Sequence, residues 1–204
     1  MAMNPIPTKR ILTLSLMLSS LTFCCTCAAR AQMGGGAPAI APGSQVAPAD
    51  SLNALLDSPE KAMMNLVKAM PADKYAFAPS QAIFVPSQKT EYTGVRTFAG
   101  LCIHVAQANY NIGGRIAGLK PDIDPASLSK LTDKDQIVAA LQASFDFVRK
   151  SIATLTPANA FESVRGPMTR ATAAAYVGVH TNDEYGQMVE YLRMNGMIPP
   201  ASQR

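Results

Sequence analysis

Beyond residue 27 the chain holds one cysteine, Cys102, so no disulfide can close within that stretch even in an oxidising compartment. Histidine is almost as scarce, with two in the whole sequence, and only 16% of the 204 residues are charged. No internal repeat is present, and no segment alternates apolar and polar residues long enough to read as a half-buried strand. The low charge together with 48% hydrophobic residues excludes a disordered chain, and the length suits one ordinary domain. The formal net charge is +4, but Lys9, Arg10 and Arg30 supply three of it, with no acid among the first 31 residues, leaving +1 for the rest. Nothing electrostatic then points to nucleic acid as a partner.

Residues 1–31 read as a secretory signal peptide. Lys9 and Arg10 form the basic start, Ile11 to Cys25 the apolar run, and Ala29-Arg30-Ala31 the cleavage motif before Gln32. An uncleaved anchor is the competing reading, but the run is shorter than the roughly 20 residues a spanning helix needs and is diluted by Ser and Thr. The expectation is an exported protein, periplasmic or secreted, with no stable membrane insertion once the leader is removed. Cys24 is preceded by Phe23, too bulky for the small residue expected before a lipid-modified cysteine, so a lipoprotein is the lesser alternative. Residues 32–49 are rich in Gly, Ala, Pro and Ser and read as a flexible tether, and the folded domain is expected over 50–204.

Four helical patterns follow, separated by Pro-rich or Gly-rich breaks, which predicts an all-α four-helix bundle with long crossover connections. The first helix is expected over about Leu52–Ala69, with Ser58-Pro59-Glu60 as an internal restart. Pro71 to Glu91 is a long connection whose Tyr75, Phe77, Phe84 and Val85 are apolar enough to lie against the bundle. The second helix, about Thr97–Ile116, has a stripe of Phe98, Leu101, Val105, Ala108 and Ile112. Thr132 with Asp135 resembles a capping box for the third, whose stripe runs from Ile137 and Val138 through Leu141, Phe145, Val148 and Ile152 to Leu155. The fourth is expected over Arg170–Met194, stopped by Gly196 and Pro199-Pro200.

Both histidines fall on inward stripes. His104 lies three residues after Leu101 and four before Ala108; His180 lies three after Val177. Glu184 follows His180 by one turn, on the same face, with no lysine or arginine near it on that face. An unpaired buried carboxylate costs several kcal/mol, on the order of the penalty for any buried lone charge, and a cation removes it. His104, His180 and Glu184 make a two-histidine, one-carboxylate set that suits Zn, Ni, Mn or Fe(II) and leaves positions open for water or substrate. The alternative is that each histidine is a hydrogen-bonded core residue, and Asp183, at i+3 from His180, competes with Glu184 as ligand. Gln187 would orient a ligand or lie on the surface, Arg193 suits the helix C-terminus, and Cys102 reads as a buried apolar filler. Tyr110 and Asn109 are further polar groups near the stripes.

The run His180-Thr-Asn-Asp-Glu184-Tyr-Gly-Gln187, continuing through Tyr191 and Gly196 to Pro200, resembles the last helix of the DinB-like (DinB/YfiT) family. Ala69-Met-Pro-Ala-Asp-Lys-Tyr75-Ala-Phe77-Ala-Pro79 resembles the loop after that family's first helix, and Val95-Arg-Thr-Phe98 through His104 to Asn109 its second helix, so the likeness covers most of residues 58–200. The resemblance implies a bundle whose pocket holds a divalent metal on three histidines. His104 and His180 match two of them; Glu184 stands where the family usually has the third, so the site is either a carboxylate variant or a degraded one. Some relatives transfer or isomerise through a low-molecular-weight thiol, which a metal would activate as thiolate. Metal-assisted hydrolysis, with Asp183 or Tyr185 assisting, is equally open, as is a non-catalytic binding or structural bundle. The expected partner is a small-molecule substrate, and a homodimer through an apolar helix face is a further expectation with no residue singled out for it.

Overall fold

The computed structural model describes residues 40–80, 83, 85–89 and 91–203. The leader read over 1–31, residues 32–39 of the tether and Phe84 lie outside the described residues. Gly43–Arg204 forms one compact unit, built from α1 (Pro48–Ala69), α2 (Phe98–Ala117), α3 (Lys134–Ile152), a hairpin of β1 (Ser163–Arg165) and β2 (Met168–Thr169), and α4 (Arg170–Met194). Among the described residues no helix is long and apolar enough to cross a membrane.

The expected all-α bundle is what forms. α1 packs chiefly on α4 and α3, and α2 on the same two, so α1 and α2 sit diagonally and the connection between them crosses the bundle. The core is the sum of the inward stripes: Leu66, Val67, Phe98, Val105, Leu141, Phe145, Ile152, Val177 and Met188 are all buried. α1 starts at Pro48 rather than Leu52, because proline at the first position loses only an N–H that has no intrahelical partner anyway. Residues 40–47 are exposed and carry no helix or strand. Pro59 does not restart the helix. It lies buried inside α1, where it packs against the glycine face of α4 at Gly178.

The diagonal connection is pinned at both ends. The Tyr75 hydroxyl donates to the Val67 carbonyl (2.6 Å), and the Tyr75 ring meets Phe98 edge-on at 5.1 Å. Phe77 and Tyr75 carbonyls accept from the Phe98 and Ala99 N–H groups (2.8 and 2.9 Å), satisfying donors at the start of α2. Phe77 also packs edge-on against Tyr191 of α4. Val85 departs from expectation: it is exposed, beyond the reach of these clamps.

α3 is capped by Asp133, whose Oδ1 accepts from the Gln136 N–H at 3.0 Å, so the cap lies one residue after the expected Thr132 and is a one-way cap rather than a box. Leu155 is buried, although it lies past the helix end at Ile152. Arg149 joins α3 to α1 through Glu60 (2.7 Å) and Asp57 (2.8 Å). The hairpin falls in the break between the third and fourth helical patterns; two or three residues per strand are too few to show a period. It presents the Glu162 and Ala160 carbonyls to the first N–H groups of α4, while Arg170 reaches across to the Ile116 carbonyl at the end of α2 (2.6 Å). At the other end of α4 the chain turns through Gly196 at φ +73°, the left-handed conformation glycine adopts without strain, as expected of that stop.

Candidate metal centre

α2 and α4 run side by side with their rotational phase set at their starts. Thr97 Oγ1 accepts from Gly100 N (3.0 Å), and Thr169 and Thr172 cap α4 reciprocally, side chain to backbone. These phases turn His104 and His180 toward each other. Their Nε2 atoms are 3.2 Å apart, with ring centroids at 5.1 Å and planes tilted by 59°. Glu184 Oε1 lies 3.3 Å from His104 Nε2 and 3.7 Å from His180 Nε2.

The carboxylate is the deepest of the three: Glu184 is 6% exposed, while the His104 side chain keeps 31% of its surface. Among the described residues no lysine or arginine pairs with Glu184, and its other oxygen has only a long contact with Gln187 Nε2 (3.4 Å). Burial lowers the pKa of His180; the Glu184 carboxylate opposes this and the His104 ring adds to it. His180 is therefore an uncharged imidazole at neutral pH, with a lone pair to offer.

These three side chains can hold a metal ion. A triangle with sides of 3.2, 3.3 and 3.7 Å has its centre about 2.0 Å from each corner, close to the roughly 2.0–2.2 Å of metal bonds to nitrogen and oxygen. With both imidazoles in the Nδ1–H tautomer, the two ring nitrogens and the carboxylate oxygen all present lone pairs to one point, as ligation of a cation requires. One element of a well-supported site is missing: His180 Nδ1 is buried with no hydrogen-bond partner among the described residues, whereas a ligating imidazole usually donates from that atom.

The sequence pattern of the DinB superfamily matches residues 55–188. The chain belongs to the DinB superfamily. The match spans well over half of the chain and contains His104, His180 and Glu184. No curated protein matches it.

Of the other residues singled out in this DinB-superfamily sequence, Asp183 is not brought into the cluster and is exposed. Three residues along a helix fall about 60° short of a full turn and four overshoot it by about 40°, so Glu184 rather than Asp183 shares the inward side with His180. Gln187 does reach Glu184, Arg193 pairs with Glu190 on the surface (2.5 Å), and Cys102 is fully buried with its thiol pKa pushed far up by burial, an inert filler as expected. Tyr176 went unread although its ring lies 6.3 Å from that of His180. It stands four residues before His180, the spacing that identified Glu184 four residues after it.

Proposed function

We propose that this DinB-superfamily protein is exported and holds one divalent metal ion on His104 Nε2, His180 Nε2 and Glu184 Oε1, acting there on a small molecule as a metal-dependent hydrolase or thiol transferase. The observation that carries the reading is the convergence of two imidazoles on a buried carboxylate that no lysine or arginine pairs with among the described residues. Two imidazoles and one carboxylate are compatible with Zn, Ni, Mn or Fe(II). Bound there, the ion supplies Lewis acidity that lowers the pKa of a water or thiol or polarises a substrate oxygen. The chain's own part is to keep His180 neutral by burial, to supply one compensating negative charge from Glu184, and to hold that carboxylate through Gln187. His104, the most exposed donor, marks the side from which a substrate would approach.

Metal analysis of protein purified without chelator is expected to give about one equivalent per chain, lost in His180→Ala. Sub-stoichiometric metal in the parent protein, or equal metal in the variant, overturns the ligand assignment. N-terminal sequencing of protein recovered outside the cytoplasm is expected to begin at Gln32; an intact leader on cytosolic protein overturns export. The unpartnered His180 Nδ1, and glutamate in place of the family's usual third histidine, favour a second reading: a non-catalytic bundle that kept the pocket and lost the metal. The same metal analysis separates the two.

A further inference from the structure

Arg96 is a cation beside the metal donors that the fold leaves without a partner. It immediately precedes Thr97, the cap of α2, it is exposed, and its guanidinium forms no hydrogen bond or ion pair among the described residues. Its main chain, by contrast, is fixed against α4: the Arg96 carbonyl accepts from the Tyr191 hydroxyl at 3.0 Å. Tyr191 follows Glu184 by two helical turns on the same face. Burial first, then the Glu184 carboxylate, raise the Tyr191 pKa, so the hydroxyl that anchors Arg96 lies within the field of the metal-binding carboxylate.

The Arg96 side chain leaves this anchor over Gly100. A methyl group placed on Gly100 would stand 3.4 Å from Arg96 Cβ and 3.9 Å from Cγ. Gly100 in turn precedes His104 by one helical turn on the same face, and it brings no side chain of its own to that stretch. The arginine's charge reaches the donors. Burial does most to lower the His180 pKa; Glu184 and Asp183 oppose it, and His104 and Arg96 add to it. Arg96 nevertheless pairs with neither acid, so its N–H donors remain free for a ligand.

We propose that Arg96 is the substrate-recognition residue of this site and that the small molecule taken there carries a carboxylate, which the guanidinium receives while another part of the molecule meets the ion. The inference rests on the metal reading above. A guanidinium presents parallel N–H donors in a planar fork that matches the two oxygens of a carboxylate, which the point charge of a lysine does not. Charge favours the same class. With a divalent ion in place, the ion and Arg96 outweigh the Glu184 and Asp183 carboxylates, so an anion is drawn to this end of α2 and an amine of the same size is not.

Two thiols of equal length test this. 3-Mercaptopropionate and 3-mercaptopropanol both offer sulfur to the ion, and only the first carries a carboxylate. Isothermal titration calorimetry of the zinc-loaded full chain is expected to show 3-mercaptopropionate bound about three- to tenfold tighter, the margin of one charge-assisted pair at an exposed site, narrowing as salt is added. Arg96→Ala should remove most of that margin, and Arg96→Lys should keep only part of it. Zinc content and unfolding temperature should stay at the parent values in both variants, because the Tyr191 bond is to the main chain and survives the substitution. Equal affinity for the two thiols in the parent, no saturable binding of either to zinc-loaded protein, or a margin unchanged in Arg96→Ala overturns the recognition role and leaves the metal assignment standing. A parent protein that takes up no zinc overturns both.

Discussion

Helix α2 meets α3 on one side and α4 on the other, and the two contacts treat buried polarity differently. Against α3, Asn109 Nδ2 donates to Ser144 Oγ (3.0 Å), and Ser144 donates to the Leu141 carbonyl (2.6 Å); of this neutral relay only Asn109 Oδ1 is left without a partner. Against α4, His104, His180 and Glu184 bring three atoms able to ligate a cation to one point. A donor-to-acceptor chain is complete in the folded protein alone and serves to fix how two helices meet. A convergence of acceptors is complete only when something positive is added. That difference makes one contact structural and the other a candidate site, although both bury polar atoms in the same helix.

The comparison can be broken in several ways. Phe145→Ala, on the α3 side, removes a fully buried ring and is expected to cost about 3–5 kcal/mol in chemical denaturation, equally with chelator or with added Zn. On the α4 side stability should instead depend on metal. At free Zn or Ni near a hundred times its Kd the parent protein should gain about 2.7 kcal/mol over the chelated form, and His180→Ala should lose that gain. An equal gain in the variant would place the ion elsewhere. Asn109→Ala should cost about 1–3 kcal/mol by leaving Ser144 without its donor, again regardless of metal. The smallest expected effect concerns pH. The folded pKa of His180 is below its unfolded value of about 6.5, so the unfolded chain takes the proton first and chelated protein loses stability as pH falls from there toward the folded pKa. His180→Gln should flatten that slope in thermal unfolding between about pH 7 and pH 5.

The bundle was legible because its helices announce themselves locally. Thr97 caps α2, and α4 runs over Arg170–Met194 as read, between a threonine cap and Gly196. The misreadings came where two local signals competed or tertiary contact decided. Asp133 caps the helix through the Gln136 N–H, one residue later than a Thr132 cap would, and Pro59 stays inside α1, buried against α4 at Gly178. The metal candidates were legible because histidines are scarce and one glutamate follows a histidine by one turn.

The clamps at Tyr75, Phe77 and Phe98 leave the backbone between them as a closed loop whose ends are held by a 2.8 Å hydrogen bond. Doubling the length of such a loop costs only about 0.6 kcal/mol in closure entropy. The stretch from Val85 to Lys89, clear of the Thr97 cap, is therefore a replaceable rim: a graft, a tag or an inserted recognition segment placed near Ser87 can change what reaches the bundle while the helix that carries His104 stays in register.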